Sequence, residues 1–151
     1  MIEIKFARSE SVADVIMRLM REVSGSIDAA LYRFNHPGLA QGLEEAARRG
    51  VRVRLLVDGN KYQESRVTQE LLGGGMIPFR LAFGRQGRGS KMHHKFVILD
   101  QQTVLAGSYN WTLESEDENH ENLLILRDPQ PVEAFRQEFE ALWTGAVRDD
   151  A

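Results

Sequence analysis

The chain has 151 residues, of which 42% are hydrophobic and 27% charged, and its formal net charge is −3. That size and composition predict one globular domain, residues 1–151, able to bury a full hydrophobic core. The lack of cysteine excludes disulfides, thiolate metal sites and a cysteine nucleophile, and the acidic balance excludes a uniformly basic nucleic-acid coat. Met1 to Phe6 has neither a basic leader nor a long apolar run, and no segment of the sequence approaches a membrane span. The expectation is a cytoplasmic protein without stable membrane association, any leader removed from the sequence aside.

Ile2 to Phe6 predicts a short strand. Val12, Val15, Ile16, Leu19, Met20 and Val23 recur at helical spacing within Ser9–Val23, with Ser9 or Ser11 as the cap. Ser26 to Tyr32 is a strand, followed by the loop Arg33-Phe34-Asn35-His36. Pro37-Gly38 opens a helix that runs to about Arg49 and ends at Gly50. Val51 to Val57 is a strand ending in the turn Asp58-Gly59-Asn60. A helix over about Glu64–Leu72 closes at Gly73-Gly74-Gly75, which lacks the Lys-Ser or Lys-Thr of a phosphate-binding P-loop. Ile77 to Leu81 is a strand, and Ala82 to Ser90 a flexible basic loop. Phe96–Leu99 and Thr103–Ala106 form a hairpin about the turn Asp100-Gln101-Gln102. After an acidic loop come a strand over Asn122–Arg127 and a helix from Pro131 with Val132, Phe135, Phe139, Leu142 and Trp143 on one face. Strands alternate with helices early and cluster late. The fold class is therefore α/β, a mixed and mostly parallel sheet with helices on both faces.

Charge is unevenly distributed. Arg80, Arg85, Arg88, Lys91 and Lys95 lie in a stretch without an acid, and Glu114, Glu116, Asp117, Glu118 and Glu121 lie in one without Lys or Arg. Between them sits the hairpin. His93 and Lys95 are two apart, so on a strand both point to one face. The chain reversal at the hairpin brings Ser108 and Asn110 toward them. One imidazole, one cation and two neutral donors suit a phosphate.

His93-x-Lys95-x-x-x-x-Asp100, Gly107-Ser108-x-Asn110-Trp111-Thr112 and Asn119-x-Glu121-Asn122 resemble the HKD motif of the phospholipase D superfamily. The resemblance covers most of the chain. It is similar to the small bacterial endonucleases with one HKD copy, and to the mitochondrial cardiolipin-hydrolase-like piRNA nucleases without their cysteine zinc finger or membrane anchor. The resemblance implies a homodimeric phosphodiesterase that needs no cofactor or metal and cuts single-stranded DNA or RNA. His93 of one subunit would be the nucleophile, forming a phosphohistidine, and His93 of the other the general acid. Lys95 would hold the non-bridging oxygens, Ser108 and Asn110 would donate to the same phosphate, and Glu121 would orient His93. Two alternatives share the cluster: a phospholipase D or cardiolipin-type lipid hydrolase, and the catalytic subunit of a larger nuclease system. A binding module that keeps the fold without catalysis fits less well with an intact cluster.

Asp100 names the motif, yet a turn is an ordinary place for Asp, and its expected role is structural. Arg85, Arg88 and Lys91 are expected to track the phosphate backbone. Trp111 is assigned to substrate binding, and Tyr32, Phe34, Phe83 and Tyr109 are further stacking candidates, with Phe34 and Trp111 equally placed to be core. His94 should face away from His93 and pack. His36 and His120 read as loop residues, and Asp58-Gly59-Asn60 as a turn that starts a helix.

Overall fold

The structure, a computed structural model, describes residues 1–147; the last four residues of the expected domain lie outside the described residues. Seven strands, β1 (Ile2–Phe6), β2 (Ser26–Leu31), β3 (Arg52–Asp58), β4 (Phe79–Ala82), β5 (Lys95–Leu99), β6 (Thr103–Gly107) and β7 (Asn122–Leu126), form one sheet in the order β1-β7-β6-β5-β2-β3-β4. The helices are α1 (Val12–Arg21), α2 (Pro37–Arg48), α3 (Gly59–Glu64), α4 (Arg66–Leu72), α5 (Leu113–Asp117) and α6 (Pro129–Gly145).

The sheet is mixed, as expected, but its parallel content is smaller than the alternation of strands and helices suggests. Only β2–β3 and β3–β4 pair in parallel, whereas β2–β5, β5–β6, β6–β7 and β1–β7 are antiparallel. The expectation of a mostly parallel sheet holds for strand direction and is corrected for pairing. Crossover helices dictate the first half, and hairpin-like returns dictate the second.

Helices cover both faces. On one, α1 and α2 bury Val12, Ile16, Leu39 and Leu43 against Ile27, Ala29, Leu31, Leu55 and Val97. The Ser11 hydroxyl accepts from Asp14 N at 3.1 Å to cap α1, and His36 Nδ1 accepts from Leu39 N at 3.1 Å to cap α2. On the other face α6 packs Val132 and Phe139 against Ala30, Leu56, Phe96, Ile98 and Val104. This helix is also tied by charge. Asp28, 1% exposed, receives Arg54 Nε at 2.8 Å and Nη2 at 3.0 Å, while Arg54 reaches Glu140 of α6 and lies over Phe139. Hydrogen bonding to Asp28 raises the Arg54 guanidinium pKa further still. Removing one partner of such a buried pair costs roughly 3–5 kcal/mol. The α6 face is left open at the far edge, where Ile2, Ile4 and Phe6 of β1 are 54%, 53% and 51% exposed.

The elements that carry the candidate site residues end together. The C-termini of β2, β3 and β6 and the N-termini of β5 and β7 share one end of the sheet, the position where open α/β sheets gather ligands.

Candidate active site

His93 precedes β5 and Lys95 is its first residue. Lys95 Nζ lies 3.3 Å from His93 Nδ1 and 3.0 Å from the His93 carbonyl oxygen. An ammonium offers only donors, so this contact requires an unprotonated Nδ1 and a neutral imidazole. The electrostatics agree. Burial, then the Lys95 and Lys91 charges, hold the imidazolium pKa below its usual value. The Lys95 ammonium is lowered by burial and supported by the Glu121 carboxylate.

Tyr32, just beyond β2, organises this corner. Its ring centroid is 4.4 Å from that of His93, and Lys95, Lys61 and Lys91 place their ammonium nitrogens 5.2, 5.7 and 6.0 Å from it. Cation–π attraction offsets part of the repulsion among three like charges. The Tyr32 backbone N–H donates to His94 O at 2.9 Å, which extends the β2–β5 pairing toward the site.

Asp58, at the end of β3, is fully buried. Its Oδ2 accepts from Lys61 N at 2.9 Å as the cap of α3, and its Oδ1 accepts from Met92 N at 2.8 Å. The expected helix start is present, with Asp58 as its cap. The same carboxylate fixes the backbone directly before His93, a long-range role that an Asp-Gly-Asn turn does not advertise.

Beyond β6, Gly107 has φ +145°, and a Cβ there would meet Asn122 O at 2.5 Å. This position admits no side chain, and the close approach sets the next residue against β7. Ser108 Oγ donates to Glu121 Oε1 at 2.6 Å and accepts from Asn122 N at 3.0 Å. Glu121 Oε2 also receives Ser115 Oγ at 2.9 Å and Asn119 Nδ2 at 3.1 Å. The Asn110 backbone N–H donates to Ser115 Oγ at 3.3 Å, while its side-chain Oδ1 is buried with no hydrogen-bond partner among the described residues.

With that geometry established, comparison with known proteins is decisive. Residues 16–143 match the family described as cardiolipin synthase, PLD-like domain. The chain belongs to the phospholipase D-like family. It is similar to the mitochondrial cardiolipin hydrolase of Mus musculus, 33% identical over 139 residues, covering 89% of this chain and 59% of that protein. It thus spans little more than half the length of that relative. Its fold matches that of Nuc, a phospholipase D family member from Salmonella typhimurium, with a TM-score of 0.86, 24% identity and 99% of each chain covered. NucT from Helicobacter pylori matches with a TM-score of 0.85, 19% identity, and 98% and 99% covered.

Several site expectations of this phospholipase D-like chain need correction. Trp111 is not a substrate-binding surface: it is 2% exposed, packs on Phe34 at 6.2 Å, and its carbonyl accepts from Asn35 N and His36 N. Tyr109 is also buried, and its hydroxyl donates to Glu116 at 2.9 Å. Glu121 has no hydrogen bond to His93; its oxygens are taken by Ser108, Ser115 and Asn119. Ser108 has one hydroxyl proton and gives it to Glu121, so it does not donate to a phosphate in this arrangement.

Arg85 and Lys91 line a groove with Phe83, Met92, His93 and Glu138. Arg88 lies over Phe83, its guanidinium carbon 4.8 Å from the ring centroid. The loop that bears Arg85 and Arg88 is more ordered than its composition suggests, because Gly84 N donates to Ser90 O at 3.1 Å and Gly87 N to Gly84 O at 3.0 Å. Asp100 accepts from Gly25 N at 2.6 Å, Ser26 N at 3.1 Å and Ser24 N at 3.2 Å, joining the hairpin turn to the start of β2. Burial acts to raise its pKa, but those three N–H groups prevail and lower it. His94 pairs with Glu138 of α6 at 2.8 Å. Among the described residues no three His, Cys, Asp or Glu side chains gather as a metal site, and no helix is long and apolar enough to cross a membrane.

Proposed function

We propose that this chain is a phosphodiesterase working without a metal ion, an endonuclease of single-stranded DNA or RNA that acts through a phosphohistidine at a site shared by two copies. The observation that carries the reading is the neutral His93 imidazole held against the Lys95 ammonium. A nucleophile needs a free lone pair, and a phosphate needs a cation beside it. When a phosphodiester enters, Lys95 turns its donors from Nδ1 to the non-bridging oxygens. A lone pair of His93 attacks phosphorus, the bond to the leaving oxygen breaks, and the imidazolium of the second copy's His93 protonates that oxygen. Water then attacks the phosphohistidine, giving its proton back to the second imidazole. Glu121 keeps the Lys95 ammonium charged, and Ser108 and Ser115 hold Glu121 in place. Asn110 supplies a further polar contact. Asp100 and Asp58 secure the two ends of the motif.

The apolar strip Ile2, Ile4 and Phe6 supports a homodimer. It lies on the uncovered part of the α6 face and ends beside the site, where Ala7 N donates to Glu121 O at 3.0 Å. Nucleic acid is favoured by the cations that ring Tyr32 and continue into the groove at Arg85. A lipid substrate is the second reading, favoured by relatives named mitochondrial cardiolipin hydrolase.

The test is cleavage of end-labelled single-stranded DNA and RNA in EDTA, with His93→Ala alongside. The expected result is cleavage that survives EDTA and falls roughly 10⁴-fold or more in the variant. Intact oligonucleotides together with hydrolysed cardiolipin vesicles would transfer the assignment to lipid. Activity that EDTA removes would overturn the metal-free step.

A further inference from the structure

A second concave surface adjoins the site, between the 33–36 loop and the helices α3 and α4. It is lined by Arg33, Asn35, Lys61, Ser65, Arg66 and Val67. Lys61 belongs to both places, because its ammonium also lies 5.7 Å from the Tyr32 ring that contacts His93. A cation path therefore runs from Lys95 through Lys61 to Arg33 and Arg66. We infer that this groove is a separate nucleic-acid subsite, taking the stretch of a single strand on one side of the scissile phosphate; the inference rests on the nuclease reading above.

Four observations carry it. First, the charge has the right sign against the overall balance: three cations and one acid, Glu64, line the groove of a chain with net charge −3. Second, these cations are available. Arg33 is exposed and forms no ion pair among the described residues. Among the described residues Lys61 and Arg66 pair only with the exposed Glu64 at 3.3 Å and Glu70 at 3.4 Å, contacts that water screens and a phosphate readily replaces. Third, the walls are fixed in advance. Thr68 Oγ1 donates to Phe34 O at 2.5 Å, binding the 33–36 loop to α4, while Asn35 and His36 are held to the Trp111 carbonyl. A preformed groove spends no binding energy on ordering itself. Fourth, Val67 is 48% exposed on the lip and Leu113, whose N–H donates to Asn35 Oδ1, is 45% exposed. A base needs apolar contact beside the cation that holds its phosphate.

The experiment measures binding of a labelled single-stranded oligonucleotide of about fifteen nucleotides by fluorescence anisotropy across a salt series. All proteins carry His93→Asn, so the strand stays whole. Arg33→Glu/Arg66→Glu is compared with Arg18→Glu/Arg21→Glu, an equal charge change on α1 at the opposite end of the sheet, and melting curves confirm that both variants fold. Single strands contribute a slope of about 0.7 in log affinity against log salt per phosphate contact. The expected result is a slope smaller by about 1.4 in the groove variant than in the α1 variant, with weaker binding at every salt concentration. Equal slopes in the two variants, with the unsubstituted surface still binding, would overturn the groove and leave the nuclease reading standing. No binding by the parent protein at low salt would overturn both.

Discussion

The two sides of the site handle charge in opposite ways. On one side, Lys61, Lys91 and Lys95 surround Tyr32, and among the described residues only Lys61 of the three has a carboxylate partner, the exposed Glu64. On the other, the acidic stretch is largely committed to neutral donors. Glu114 accepts from Asn35, Glu116 from Ser11, Ala13 N and Tyr109, and Glu121 from Ser108, Ser115 and Asn119. A run of one sign in a sequence thus says little about use. Carboxylates with enough donors become framework, while ammoniums held by a ring remain reactive.

Substitutions can break this contrast. Lys95→Met should have the largest effect, lowering kcat/KM by roughly 10²–10³-fold in steady-state assays with little change in melting temperature; an equal loss of stability would make Lys95 framework as well. Glu116→Ala should do the reverse. It strands the Ser11 and Tyr109 hydroxyls and the Ala13 N–H, costing about 2 kcal/mol and roughly 4–8 °C in thermal melts, while the activity of the folded fraction is kept. Burial raises the Glu116 pKa, but the bonds from Ser11, Ala13 and Tyr109 prevail and lower it. Its contribution is therefore present above the unfolded carboxylate pKa and lost as pH falls through the folded value, so the gap between wild type and variant should narrow in acid. Lys91→Gln is the mildest. Burial, then Lys95 and Lys91, depress His93; removing one cation lets its pKa rise, so the acid limb of the kcat/KM profile should move to higher pH. An acid limb that stays where it is would show that Lys91 is not felt at the imidazole.

The helices α1 and α2 are legible because each carries its own punctuation: Ser11 before the Val12–Met20 stripe, Pro37 at the start of α2, and Gly50 with φ +94° at its end. His93 and Lys95 were legible because two-residue spacing on a strand needs no knowledge of the rest of the fold. What escaped depends on contacts distant in sequence. Phe96–Leu99 is buried throughout, and an apolar run of that kind is equally compatible with a parallel or an antiparallel neighbour. Trp111 reads equally as a stacking surface and as core, and only its bridge to Phe34, distant in sequence, decides for the core. The hydrogen bond from Met92 to Asp58 and the cap of α5 at Thr112, which turns the expected acidic loop into a helix, leave no periodic signal.

The loop over 84–90 is closed at its own base, where Gly84 N meets Ser90 O and a Cβ on Gly84 would strike Lys91 N at 2.6 Å. Its closure is therefore local to its own ends. Because Asp58 holds Met92 independently, residues can be added within 85–89 for roughly 0.6 kcal/mol per doubling of loop length without loosening the backbone before His93. Variation in the length of this segment therefore stops at its own neck and does not reach the backbone that Asp58 fixes before His93.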